Sequence, residues 1–277
     1  MKEETILKNE WIKRYNLTAV SQSKYYKIVG CFAIGFELMK IYGEIKPYFV
    51  IYPLWREDVK MCFCVSYLYH CIEDSKGLNY SLPISKMLEK KEEIFLNAEK
   101  YMGFDLTKDI HKNQILDIFD KYLYNKYLNE YSTNPVEQDS IFILKTFMAT
   151  YLNDQSLFDD ILASMKSMED YARKNPQRFE QLFGKRYDFW KEDLISVFSN
   201  RQAIMDKINA NITSGKIKQR LNLLSEDADG VKYEKEKNVD GHLKESFSTH
   251  PEIMTDHRNL EFMKKEDYIK YHKEHGK

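Results

Sequence analysis

Residues 21–43 read SQSKYYKIVGCFAIGFELMKIYG, and the fold of the N-terminal half turns on how this run is taken. Tyr25, Ile28, Val29, Phe32, Phe36 and Met39 recur at three- and four-residue intervals, which would lay one apolar stripe along a helix. Gly43 follows where a glycine commonly ends a helix. The spacing predicts a helix over 21–43. Working outward, Pro47 and Pro53 punctuate a short aromatic connector (Tyr48, Phe49, Tyr52), and a second helix is expected from 55 to about 71. A turn region around 74–83 precedes a helix over 87–101, with Gly103 just past its end.

The same reading continues toward the C-terminus. Ile115, Phe119, Tyr122 and Leu123 open a helix that runs through Tyr127. Asn134-Pro135-Val136-Glu137 is a helix start: an Asn to cap, a Pro where no N–H is needed, and an acid in the first turn. It opens the apolar run 141–152. Helices over 157–172, 178–183 and 188–211 follow, with Asn175-Pro176 between the first two. Residues 1–215 are therefore expected to be mainly α, a helical bundle or stacked helical hairpins, with no fixed period that names a repeat family.

Composition bounds the function. The 277 residues are 43% hydrophobic and 14% aromatic, enough for a substantial core, and 10 Gly with 6 Pro favour long helices over a turn-rich all-β chain. With 42 basic and 43 acidic residues the net charge is −1, so no global field favours nucleic acid or an anionic membrane. Cys31, Cys62, Cys64 and Cys71 read as reduced, buried small hydrophobes. On one helix Cys62 and Cys64 would point about 200° apart, which excludes a shared ion. His70 and His111 read as structural or surface residues. The start, Met1-Lys2-Glu3-Glu4, leads into no apolar signal core, and no 18-residue apolar run occurs. The expected location is the cytoplasm, with export only by a route that reads no cleavable signal.

After Ser214-Gly215 the texture changes. Residues 216–238 are mostly charged and read as a linker or boundary, with 231–247 alternating loosely as short strands would. A last helix is expected from 264 to about 275. Five of the seven histidines, His242, His250, His257, His272 and His275, fall in the last 36 residues. Histidine is the side chain best suited to bind a transition metal or move a proton near neutral pH. Residues 231–277 hold 10 basic and 10 acidic groups, which speaks against strong non-specific DNA binding by this segment.

The order of residues in the tail is Gly241-His242-Leu243, His250-Pro251-Glu252, Asn259-Leu260-Glu261-Phe262 and Tyr268-x-x-x-His272. Over about 40 residues it resembles the GHH subtype of HNH/endonuclease VII-type nucleases found at the C-termini of bacterial polymorphic toxins. That resemblance implies a ββα-like tail over 239–277 that holds one divalent metal (Mg, Zn, Ni or Mn) and cuts phosphodiester bonds. It also implies roles. His242 and His272 would bind the metal, joined by His275, which shares a helix face with His272. Asn259 would orient a base, supplied by His257 or His250 if the loop folds inward. The chain departs from the pattern at two places: Leu243 stands where the family has its second His, and Tyr268 where the helix has its first.

Two functions are therefore carried forward. One is a polymorphic-toxin-system protein with a nuclease-type tail that meets nucleic acid. The other is a non-catalytic, all-helical immunity- or antitoxin-like protein that binds a protein counterpart. No acid–base cluster is evident from the sequence within residues 1–230.

Overall fold

The computed structural model describes residues 3–125, 130–132, 134–214 and 220–225. All of these lie in the first of the chain's two units, residues 1–236. In chain order the elements are α1 (Glu3–Tyr15), β1 (Thr18–Ala19), β2 (Lys24–Val29), β3 (Phe32–Ile41), β4 (Glu44–Pro53), α2 (Val59–Cys62), β5 (Leu68–Cys71), β6 (Leu82–Pro83), α3 (Ile84–Glu89) and α4 (Lys91–Met102). They continue as β7 (Ile110–His111), α5 (Lys112–Leu123), β8 (Tyr124–Asn125), β9 (Glu130–Tyr131), α6 (Pro135–Leu152), α7 (Gln155–Ser164), α8 (Lys166–Lys174), α9 (Pro176–Phe183), α10 (Tyr187–Ser199), α11 (Arg201–Ser214), β10 (Arg220–Leu221) and β11 (Leu223–Leu224).

The mainly α expectation is overturned: the N-terminal half is built on an antiparallel sheet, and the chain has an α/β fold. Residues 21–43 form no helix. They supply β2 and β3, which pair with β4 in a meander whose strand order is β1-β2-β3-β4-β5. The reason lies in the positions between the supposed stripe. Phe32, Ala33, Ile34 and Phe36 are all fully buried, so successive side chains are covered on both faces of the sheet. An amphipathic helix would have left some of them in water. Tyr42 (φ 50) and Gly43 (φ 87) both take positive φ, which is the two-residue hairpin turn and not a helix end. The helix expected over 55–71 also fails. Only Val59–Cys62 is helical, capped by the Asp58 carboxylate, and Leu68–Cys71 pairs with β4 as a strand.

Directly opposed residues share a face of an antiparallel sheet. Tyr25, Phe36 and Phe49 therefore face one way, toward α1, α4 and α5. Trp11 of α1 is 1% exposed, with its ring 4.6 Å from Phe36 and 4.9 Å from Phe95 of α4. Tyr26, Tyr48 and Tyr52 face the other way, where Phe63 lies 4.5 Å from Tyr26 and Tyr69 stacks 4.1 Å from Tyr48. Strand β10 runs parallel to β2, and β11 runs parallel to β7, so residues 220–224 return to the body.

From residue 84 onward the expected helices form with corrections: the one expected through Tyr127 ends at Leu123, where Tyr124–Asn125 pairs as a strand, and those expected over 157–172 and 188–211 each break into two. Gly103 (φ 70) caps α4, and the Asn134 side chain accepts the Val136 N–H at the start of α6. Helix α6 packs against α7, α10 and α11. Arg201, at the head of α11, donates to the carbonyls of Thr150 and Tyr151 at 2.9 and 3.1 Å, adding to the Asn153 N–H on the former and supplying a donor to the latter at the end of α6. Arg201→Met keeps the aliphatic stem and removes both donors. It is expected to cost about 2 kcal/mol in urea unfolding.

Candidate functional site

Where β4 leaves the sheet, the sequence Leu54-Trp55-Arg56 is held from two sides. Asn211 of α11 donates to the carbonyls of Leu54 (3.1 Å) and Arg56 (2.7 Å). The Trp55 ring lies flat on Phe147 of α6 at 3.8 Å and 6.0 Å from the Tyr67 ring. Arg56 thus has a fixed backbone. Its guanidinium sits 5.4 Å from the centre of the Tyr67 ring. Its Nε is buried and has no hydrogen-bond partner.

Asp139 approaches from α6. The indole of Trp190, on α10, donates to Asp139 Oδ1 at 2.7 Å. Burial raises the Asp139 carboxyl to about 6, opposed by the Trp190 hydrogen bond and by the charge of Lys185. Burial likewise raises the Tyr67 phenol, with Arg56 opposing and Asp139 reinforcing the shift. The Tyr67 hydroxyl therefore feels both the guanidinium and the carboxyl. A half-buried carboxyl that changes charge near pH 6 can accept or release a proton. Asp139 is a half-buried titratable acid that the sequence alone does not single out within residues 1–230. One signal is present: Asp139 lies three residues before buried Phe142, on the inward stripe of α6.

The raised carboxyl has a stability consequence. The acid form is the one favoured by the fold, so its contribution is complete below the ordinary carboxyl value of 3.8 and is lost as pH rises through about 6. Asp139→Asn keeps an acceptor for the Trp190 indole and removes the charge. The variant is expected to match the wild type near pH 4 and to exceed it by about 2 kcal/mol at pH 7.5. Urea denaturation at both pH values measures this. A gap that does not grow with pH would show that Asp139 is not held in its acid form.

Several other polar groups among the described residues have structural partners. His70 stacks on Tyr101 at 3.9 Å, and His111 accepts the Asn113 N–H to cap α5, as their sequence reading implied. Cys31, Cys62 and Cys71 are buried with thiols pushed upward, Cys71 to about 12, while Cys64 is exposed. Lys112 pairs with Asp154, the N-cap of α7, at 2.5 Å. Between α7, α8 and α10 lies a cleft of about 370 Å³, open to solvent and lined by Lys166, Glu169, Arg173, Tyr187 and Lys191. Among the described residues no group of three or more His, Cys, Asp or Glu is placed to hold a metal, and no helix is long and apolar enough to cross a membrane.

The residues singled out in the tail, His242, His257, Asn259, His272 and His275, lie outside the described residues, as does the ββα expectation for 239–277. No protein family matches the chain, and no curated protein or solved structure matches it either.

Proposed function

We propose that this chain belongs to a bacterial polymorphic-toxin system, with residues 239–277 acting as an HNH-type, metal-dependent module directed at phosphodiester bonds and the α/β body engaging a protein counterpart. The order of residues in the tail, Gly241-His242, then Asn259, then His272 with His275, carries the reading. The donor set suits the chemistry: imidazoles bind Zn, Ni and Mn through neutral nitrogen, and three of them leave positions open for a substrate oxygen. A divalent ion held there would offset the charge of the phosphate. His242, His272 and His275 would hold it, while Asn259 would orient His257 as the base.

A second reading is favoured by one specific observation. Leu243 cannot move a proton, and Tyr268 replaces a helix imidazole. A protein that binds a toxin counterpart needs neither group. One experiment separates the two: purified chain is assayed for bound metal and for cutting of plasmid DNA with Mg²⁺, Mn²⁺, Ni²⁺ or Zn²⁺. Metal-dependent cutting that His242→Ala removes supports the nuclease. No metal and no cutting, together with protection of cells from a neighbouring toxin gene, support the partner-binding reading.

A further inference from the structure

Residues 220–224 lie far along the chain from the two strand edges they join. The outer edge of β2 is shared between two short strands: β1 pairs with Tyr25 and Tyr26, and β10 lies parallel to Ile28 and Val29. One residue later the chain crosses to β7, where Leu223 and Leu224 pair with Ile110 and His111. The Gly30 N–H donates to the Leu221 carbonyl at 3.4 Å, and the Ile110 N–H to the Asn222 carbonyl at 2.9 Å. A single carboxylate grips Asn222: Asp109 accepts its backbone N–H at 2.9 Å and its side-chain amide at 3.0 Å. Leu223 is 5% exposed. A Cβ built at Gly30 would stand 2.8 Å from the Leu223 Cβ and 3.1 Å from the Tyr151 ring, so glycine is what leaves the notch open for this leucine.

Strand edges that offer backbone groups, a notch for one side chain and an acid for one amide are the means by which a fold recognises an extended peptide. We propose that the edges of β2 and β7 together form a β-augmentation site for an extended segment of Leu-Asn-Leu chemistry, and that residues 220–224 fill it as a competitor in cis. The hold is short, two ladder residues on each edge, so the segment can leave without unmaking the sheet. Strands β2, β3 and β4 pair with one another over six and ten residues and do not depend on it. Specificity has two sources. The Gly30 notch takes the leucine, and the Asp109 carboxylate takes the amide beside it. A slip of one residue would bring Asn222 to the notch and a leucine to the carboxylate, so the register is fixed. This site does not rest on the activity proposed for residues 239–277. A partner strand of the same chemistry reaches the body only by displacing the chain's own.

The full chain carrying Asn222→Ala and Leu223→Asp keeps β2, β7, Gly30 and Asp109 and disables the segment that fills the site. A fluorescein-labelled peptide of residues 218–226 is titrated against this opened chain and against the wild type, with binding read by fluorescence anisotropy. The opened chain is expected to bind with Kd of about 100 µM or tighter, and the wild type about tenfold less well, because the tethered segment competes at an effective concentration on the order of 1 mM. Asp109 is exposed, and Asp109→Ala in the opened chain is expected to weaken binding about tenfold by removing a charge-assisted acceptor. A peptide carrying Asn222→Ala should bind the opened chain less well, and should lose nothing further once Asp109 is also replaced. If the opened chain fails to fold by circular dichroism, Asn222→Ala alone carries the test. That position is exposed, and the single variant is expected to bind the peptide about threefold more tightly than the wild type. No saturable binding by the opened chain, equal binding by the opened and wild-type chains, or binding indifferent to Asp109→Ala would each overturn the proposal. For the single variant, binding no tighter than that of the wild type would do the same.

Discussion

Alanine at Gly35 is expected to prevent formation of the native sheet. A Cβ built at this position lies 2.6 Å from Tyr26 Cα and closer still to the Tyr25 carbonyl oxygen. Both obstacles are backbone of β2, directly opposite in the ladder, so no side chain can rotate away. The strands must separate, and β2 is the strand that carries β1 on its outer edge and β10 alongside it. Slippage by one residue would turn Tyr25 and Lys27 to the opposite face and bring Tyr26 and Ile28 into their place. The cost is expected to exceed about 4 kcal/mol, a large share of the stability of an ordinary domain. Gly43→Ala is the matched control. Its Cβ meets nothing, and the penalty is only the strain of a side chain at φ 87, about 1 kcal/mol. Urea unfolding of both variants measures the contrast. If Gly35→Ala unfolds within about 1 kcal/mol of the wild type, β2 and β3 do not approach as closely as described.

The two glycines also show why the N-terminal half was misread and the helical half was not. Helix starts and stops are local. Asn134 with Pro135, Asn175 with Pro176, and Gly103 after Met102 each act within one turn, so the sequence alone places α6, α9 and the end of α4. A strand covered on both faces has no such signature. Its side chains are apolar at odd and even positions, and any such run contains residues three and four apart. In 21–43 the stronger evidence was the interval between turn signals. Gly30-Cys31 and Tyr42-Gly43 bracket ten residues, a strand's length, and Gly35 inside a helix would be costly. Cys62 and Cys64 show the same limit: the opposed directions argued for them assume one helix, but α2 ends at Cys62 and Cys64 is not helical.

The Asp139 cluster was hidden for a different reason. Its members come from beyond β4, from before β5, from α6 and from α10, and the Trp190–Asp139 bond alone spans 51 residues. No periodicity reports that distance. Legible in the sequence was only an acid on an inward helix stripe and an arginine next to Trp55, each unremarkable by itself. The influence of Asp139 on Tyr67 depends on the strand that Tyr67 leads into, and strands are what the helical pattern in this region conceals.

If the tail is the nuclease module proposed above, its departures from the HNH pattern can be tested directly. A metal-assisted nuclease needs an ion to stabilise the leaving oxygen and a base to take a proton from water. Removing a ligand removes the first function. His242→Ala is therefore expected to lower metal-dependent plasmid cutting about a hundredfold or more, with a parallel loss of bound metal. Placing an imidazole at the family's own base position, where His257 otherwise has to reach in, should do the opposite. Leu243 occupies the place of the family's presumed base, and Leu243→His is expected to raise cutting about a hundredfold, the ordinary worth of a positioned acid–base group. The two substitutions are adjacent but act on different steps, so the double variant should bind little metal and cut no better than His242→Ala alone. A gain from Leu243→His that survives in the His242→Ala background would mean that cutting does not depend on metal held at His242. A Leu243→His variant that binds metal yet cuts no faster would favour the reading in which this chain binds a protein counterpart and performs no hydrolysis, because an imidazole at the family's own position would then have nothing to activate.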